Sequence, residues 1–260
     1  MTDIQEIHRA LVLLGQQLGD PSRELVIAAE GNISHAVSDD AMLVKASGSA
    51  LECMGADDLV HARLAPLLEV VRDEASGDDA IARANAECVV GPVGRRPSVE
   101  AVLHAVLYDL TSVACIAHTH PIAVNGLLCS SQAEALTAGA LFPDQVVMLG
   151  RRQLQLPYVD PGLRLARAVR EGVLAFVESE GRHPRVIYLR NHGMFALGAS
   201  PADVLQVTQM ADKAARVLSA ALSVGRPVYM SPADVDRIDG REDEHYRRTR
   251  LGQVAMDGGS

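Results

Sequence analysis

VACIAHTHP, running from Val113 to Pro121, is an apolar run that closes on two histidines. Read as a strand, it turns residues i and i+2 to the same face. His118 and His120 then project side by side, about 6–7 Å apart at Cα. That span suits two ligands of one metal ion. It also suits two histidines satisfied by hydrogen bonds at a sheet edge, so the pair alone does not decide. Pro121 fits the first turn of a helix following the strand.

Outward from that run, helices and short strands alternate. The opening MTDIQEIHRALVLLGQQLGD reads as an amphipathic helix over residues 2–18. Short strands are expected near residues 25–28, 33–37 and 41–45, and helices near 63–73, 79–88 and from 97 to about 108. Beyond the histidine strand (113–120), a helix is expected over 132–139, a strand near 145–149 and a long amphipathic helix over 162–178. Residues 185–189 and 194–196 read as strands flanking Asn191, His192 and Gly193. The last long helix starts at Ser200 and Pro201, an N-cap followed by proline at N1, and runs to Val224. Several strands in close succession near the N-terminus favour one mixed or antiparallel sheet covered by helices. The expected class is α/β, as one domain over residues 1–230 with a polar tail, lid-like or frayed, over 231–260.

Composition sets limits on function. With 260 residues, 48% hydrophobic and 22% charged, the chain can bury a full core. A net charge of −9 argues against non-specific nucleic-acid binding, which needs basic surface. No Trp and 3% aromatics leave few platforms for base stacking. No run approaches the apolar length of a membrane helix, so no membrane partner is expected. The N-terminus has early acidic residues and no small-residue cleavage site, so no signal peptide is expected. Cys53, Cys88, Cys115 and Cys129 are widely spaced, which fits a reducing cytoplasm and disfavours a cysteine zinc site.

Two further segments carry chemistry. His192 lies in RNHGMF, directly after the apolar VIYL, where Gly193 suits a tight turn. Glu100 lies in PSVEAVLHAVLY, where Ser98 can cap a helix and the helix dipole favours a carboxylate in the first turn. Simple helix capping therefore accounts for Glu100 as well as catalysis does. His104, one turn later, reads as a structural histidine outside the ligand set. Three imidazoles with a carboxylate suit Zn2+ acting as a Lewis acid, and Mn2+, Co2+ or Fe2+ in its place.

The ordered set EGNIS (Glu30 to Ser34), KASG (Lys45 to Gly48), PSVE (Pro97 to Glu100), HTHP (His118 to Pro121), PYVDPG (Pro157 to Gly162) and RNHG (Arg190 to Gly193) resembles the class II aldolase/adducin family. Each motif is weak alone; six in order are specific. The KASG and PSVE spellings look most like the aldolase half of bifunctional aldolase/dehydrogenase proteins, although this chain is too short to carry the dehydrogenase. The resemblance implies a three-layer α/β/α domain around a mostly antiparallel sheet, assembled as a homotetramer with active sites between subunits. It implies a metal held by His118, His120 and His192, with Glu100 as general acid/base. It also implies a phosphate or substrate site at Gly31, Asn32, Ser47, Gly48 and Ser98, and a small sugar-like substrate. The activity implied is aldol cleavage of a ketose, a ketose phosphate or a related hydroxy-keto acid. Epimerase, dehydratase, decarboxylase and iron-dependent oxidative chemistry stand as alternatives, as does a non-catalytic interaction module.

The chain departs from the family pattern around the phosphate. Ala29 and Glu30 stand before Gly31, and Val99 stands where a second serine is usual. Lost hydroxyls are lost hydrogen bonds to the anion, and a Glu30 carboxylate facing the pocket would repel it. A weak dependence on phosphate is expected on this reading. Lys45, Arg95 and Arg96 read either as compensating charge or as ordinary surface. Tyr158, Asp160 and Tyr246 are candidates for the proton donor.

Overall fold

A computed structural model describes residues 4–91 and 94–241. Helix α1 (Ile4–Leu18) buries Ile7, Leu11, Leu14 and Leu18, the stripe of an amphipathic helix. Strands β1 (Asn32–Ser38), β2 (Ala41–Lys45) and β3 (Leu59–Arg63) follow, then helices α2 (Ala65–Arg72), α3 (Asp79–Glu87) and α4 (Ala101–Leu110). The histidine strand is β4 (Cys115–Thr119), and α5 (Ile122–Leu128) starts directly after Pro121. Helix α6 (Pro143–Leu149), β5 (Leu154–Leu156), α7 (Leu163–Glu180), β6 (Val186–Leu189), β7 (Gly193–Gly198), α8 (Pro201–Val224) and α9 (Pro232–Asp239) complete the described chain.

The described strands form one sheet in the order β3-β2-β1-β4-β7-β6-β5. Every neighbouring pair is antiparallel except β5 with β6. The histidine strand β4 lies in the middle, paired on both edges, and helices cover both its faces. Its side chains alternate between two cores. Cys115 and Ala117 join the cluster built with α1, α5, α6 and α8. Ile116 joins the opposite cluster, built with α2, α3, α4 and α7. The same alternation runs through Tyr188 and Leu189 on β6 and through Ala196 and Leu197 on β7. The result is the expected three-layer α/β/α domain around a mostly antiparallel sheet.

Some elements differ from expectation. Residues 145–149, expected as a strand, belong to helix α6. Pro143 occupies its first turn, and Gly150 ends it at φ 81°. Gln145, Val146, Val147, Met148 and Leu149 are all buried, and a run buried all round has no periodicity that separates helix from strand. Residues 25–28 are a loop, because Glu24 and Ala28 both adopt left-handed backbone (φ 56° and 54°). That loop still binds the sheet end: the His120 N–H donates to the Leu25 carbonyl at 2.9 Å. Strands β3 and β5 were not expected, and β5 is only 3 residues long. The first part of the polar tail is helix α9, capped by Ser231, with Ile238 buried in the core shared with α6. Tyr246 lies outside the described residues.

Candidate metal centre

His118 leaves β4 towards α4, on the face opposite Ala117. Its ring stacks on Phe195 of β7, with centroids 4.5 Å apart and planes at 26°. Its Nδ1–H donates to the Met194 carbonyl at 3.0 Å. That bond fixes the tautomer and leaves a lone pair on Nε2. Burial holds the imidazole neutral, with its pKa pushed down to about 3.

His120 lies just past the strand end and turns into the same space. Its Nδ1 meets the Glu30 carboxylate at 2.9 Å, so its Nε2 is also free to coordinate. His192 enters from the β6–β7 turn. Asn191 takes left-handed backbone there (φ 55°), and the Asn125 amide donates to the His192 carbonyl at 3.0 Å. Gly193 is needed for space: a Cβ would lie 2.4 Å from His120 Cδ2 and 2.6 Å from the Thr119 carbonyl. The H-x-H and N-H-G motifs therefore interlock.

The three Nε2 atoms converge. His118 Nε2 is 3.0 Å from that of His120 and 3.3 Å from that of His192. With the protons of His118 and His120 on Nδ1, no hydrogen lies between their Nε2 atoms and the facing lone pairs repel, while His192 Nδ1 is buried without a partner among the described residues. One cation among them removes the conflict. Three nitrogens around a tetrahedral Zn2+ at about 2.0–2.1 Å stand about 3.3 Å from one another. Among the described residues, these three histidines form the group able to hold a metal ion. The residues fit the ion that the sequence implies.

Glu100 completes the ring. Its two oxygens stand 3.4 Å from the Nε2 atoms of His118 and His192. It occupies the N-cap position of α4, yet its side chain makes no capping bond. Ser98 is not the cap either; its Oγ accepts from the Glu100 N–H at 3.3 Å. Burial would push the Glu100 carboxyl up. Hydrogen bonds from the His192 ring and from the Asn32 amide act the other way and lower it.

This chain belongs to the class II aldolase and adducin N-terminal domain family. The family's model matches residues 9–219. The chain is 25% identical over 169 residues to a protein described as "Uncharacterized oxidoreductase YuxG" of Bacillus subtilis (strain 168), covering 65% of this chain. It spans 22% of that relative's length. Two of the solved structures that share the fold illustrate it. One is YgbL, "a putative aldolase/epimerase/decarboxylase" from Klebsiella pneumoniae, with TM-score 0.69, 20% identity, and 90% and 98% of the two chains covered. The other is an "L-fuculose 1-phosphate aldolase", with TM-score 0.69, 17% identity, and 93% and 96% covered.

Against this class II aldolase frame, the remaining candidates divide. Asn32 is buried and its Nδ2 donates to Glu100 at 2.8 Å. Gly31 needs its φ of 70°, and a Cβ there would lie 2.9 Å from the His118 carbonyl. Ser47 and Gly48 form an exposed turn, joined to the Ser98 segment by a bridge between Ala46 and Pro97. The amide N–H groups of Ser47 and Ser98 are already bonded, to the Arg96 and Lys45 carbonyls. Tyr158 and Asp160 bond each other at 3.0 Å and line a separate cleft with Arg164 and Arg167, which none of the three histidines lines.

Two residues were undervalued in the sequence. Glu30 does not face a phosphate as a free charge; it accepts from His120 and from the Ile27 N–H at 2.6 Å. Lys45 is not ordinary surface. It is 2% exposed, and its Nζ reaches the Ala29 carbonyl at 3.4 Å. Burial pushes its pKa down, while nearby Asp58 and Glu100 push it up. Strand alternation around Lys45 could have flagged it, because a lysine closing the buried run AMLVK needs a reason to be there. No helix among the described residues is long and apolar enough to cross a membrane.

Proposed function

We propose that the chain is a metal-dependent lyase that cleaves or forms a C–C bond in a ketose, a ketose phosphate or a related hydroxy-keto acid. One observation carries the reading: three Nε2 atoms converge beside the carboxylate of Glu100, whose side chain makes no capping bond to α4. Bound there, a divalent ion supplies Lewis-acid stabilisation of negative charge developing on carbonyl and hydroxyl oxygens. His118, His120 and His192 would hold it, and Glu30 orients His120. Glu100, partly buried and aimed into the same space, is the proton carrier. The same groups would also serve epimerisation, dehydration or decarboxylation. A retro-aldol screen with zinc, using free and phosphorylated ketoses in parallel, tests the reading. Failure of every ketose to yield an aldehyde, with zinc bound, would reject lyase chemistry. A cytoplasmic location belongs to the same proposal.

Lys45 supports an anionic substrate. With Glu30 tied to His120, the repulsion expected from the sequence is reduced, and a buried cation stands close to Glu100. Removing one hydrogen bond to a charged group costs about 1.5–3 kcal/mol. Lys45→Met is therefore expected to raise KM for a phosphorylated or carboxylated substrate by roughly 10- to 100-fold. KM for the matching neutral ketose should change little. Equal effects on both would remove Lys45 from substrate recognition.

A homotetramer completes the proposal. A cavity of about 300 Å³ opens beside His120 and Glu30, and Ile27 and Ile122 on its wall are 76% and 63% exposed. Large apolar side chains this exposed beside a polar site suit burial by a second copy. Light scattering is expected to show a tetramer. A stable monomer with full activity would overturn this.

A further inference from the structure

Behind Glu100, polar groups run in an unbroken line through the layer between α4 and β1. Glu100, His104 and Tyr108 are four residues apart and share one face of the helix. Asn32 and Ser34 are two apart and share one face of the strand. Four helical residues rise about 6 Å and two strand residues about 6.6 Å, so the two rows interleave with little mismatch. Asn32 Nδ2 lies 2.8 Å from Glu100 Oε2. Asn32 Oδ1 bonds His104 Nε2. His104 Nδ1 lies 2.6 Å from Ser34 Oγ, and Ser34 Oγ lies 2.8 Å from the Tyr108 hydroxyl. Asn32, Ser34 and His104 are buried, so water does not complete these bonds.

We infer that His104 is a positioning residue, which locks the Asn32 amide in the orientation that holds Glu100 for proton transfer. The deciding fact is that a chain of this kind can run in two directions, and only one suits a carboxylate. The Asn32 amide turns its Nδ2 to Glu100 Oε2 and its Oδ1 to His104 Nε2. His104 must then carry its proton on Nε2, accept at Nδ1 from the Ser34 hydroxyl, and leave Ser34 Oγ to accept from Tyr108, whose hydroxyl has the Ala114 carbonyl at 3.5 Å as its other acceptor. Reversing the chain would set the buried Asn32 carbonyl against the Glu100 carboxylate, two acceptors face to face. Burial keeps His104 neutral, with its pKa down to about 4, so the ring has one donor and one acceptor, as the chain requires. The line does not conduct protons, because the Asn32 amide does not ionise. Its effect is to remove the freedom of the Asn32 side chain to flip. His104 also packs edge-on against Phe195, the ring on which His118 stacks, with centroids 5.6 Å apart. One histidine thus steadies both the carboxylate and the floor under a ligand.

The role given to Glu100 rests on the lyase reading, but the direction of the chain does not, and the test separates them. Solid-state 15N spectra of the histidine-labelled full chain, with His104 identified by its loss in His104→Gln, should show a neutral ring protonated at Nε2. A proton on Nδ1, or a doubly protonated ring at neutral pH, would overturn the inference whether or not any ketose is cleaved. For turnover, His104→Leu should lower kcat by about 10- to 100-fold, the usual scale for a supporting residue, with KM and zinc content unchanged. His104→Gln, whose amide can still donate to Asn32, should recover most of the loss. An unchanged kcat in His104→Leu, or equal losses in both variants, would refute positioning. If His104→Leu does not fold, Ser34→Ala replaces it, with mixed His104 tautomers and lowered kcat expected. A single Nε2–H tautomer with wild-type kcat in Ser34→Ala would count against the chain.

Discussion

In the Glu100→Gln variant, turnover is expected to fall by a factor on the order of a hundred or more while zinc content stays at the wild-type level. Glutamine keeps the size of the side chain and can still accept from Asn32 Nδ2 through its carbonyl oxygen. It cannot take up a proton. The position contributes little else that glutamine would disturb, since the Glu100 side chain makes no capping bond to α4. The measurement is kcat on whichever ketose the retro-aldol screen identifies, with metal analysis on the same sample. Near-normal turnover would reduce Glu100 to a structural carboxylate. Loss of zinc together with turnover would make it chiefly a ligand.

The second large effect concerns the ion itself. Wild-type protein is expected to hold about one zinc or similar divalent ion per chain, and His118→Ala and His120→Ala to lose it while remaining folded. The two variants should not be equally well tolerated. His118 is fully buried between Phe195 and the Met194 carbonyl, so its removal opens a cavity in the core as well as the site. His120 is at the strand end and partly exposed, and its loss should spare the fold more completely. Glu30→Gln gives the graded case. It weakens the acceptor that fixes the His120 tautomer, and metal affinity should drop by about 10- to 100-fold. Full metal occupancy in both alanine variants would refute the site, and unchanged affinity in Glu30→Gln would refute the orienting role of Glu30.

Much of the fold was legible because its signals are local. The apolar run into His118, the stripe of α1 and the Ser200–Pro201 start of α8 each follow from a few neighbouring residues. Helix α6 was not legible, since complete burial erases the polar face by which a helix declares itself. Loop 25–28 was misread because left-handed backbone at Glu24 and Ala28 leaves no glycine to mark it. Within the site, the histidines were visible as motifs, but capping explained Glu100 equally well until its carboxylate was found facing His118 and His192.

By itself, the sequence determined which residues can ligate or carry a proton, and the alternation that sends His118 and His120 towards one space. These follow from side-chain chemistry and from the two-residue period of a strand. Only the tertiary structure decided their partners. Glu30 is 90 residues from His120, Glu100 is 68 from Asn32, and His118 is 74 from His192. Only the folded sheet brings such groups together. The sign of each effect depends on that meeting: Glu30 is bonded to His120 instead of standing as a free charge, and Lys45 is buried instead of solvated. A charged side chain acts through the dielectric and the partners around it, and packing between distant segments sets both.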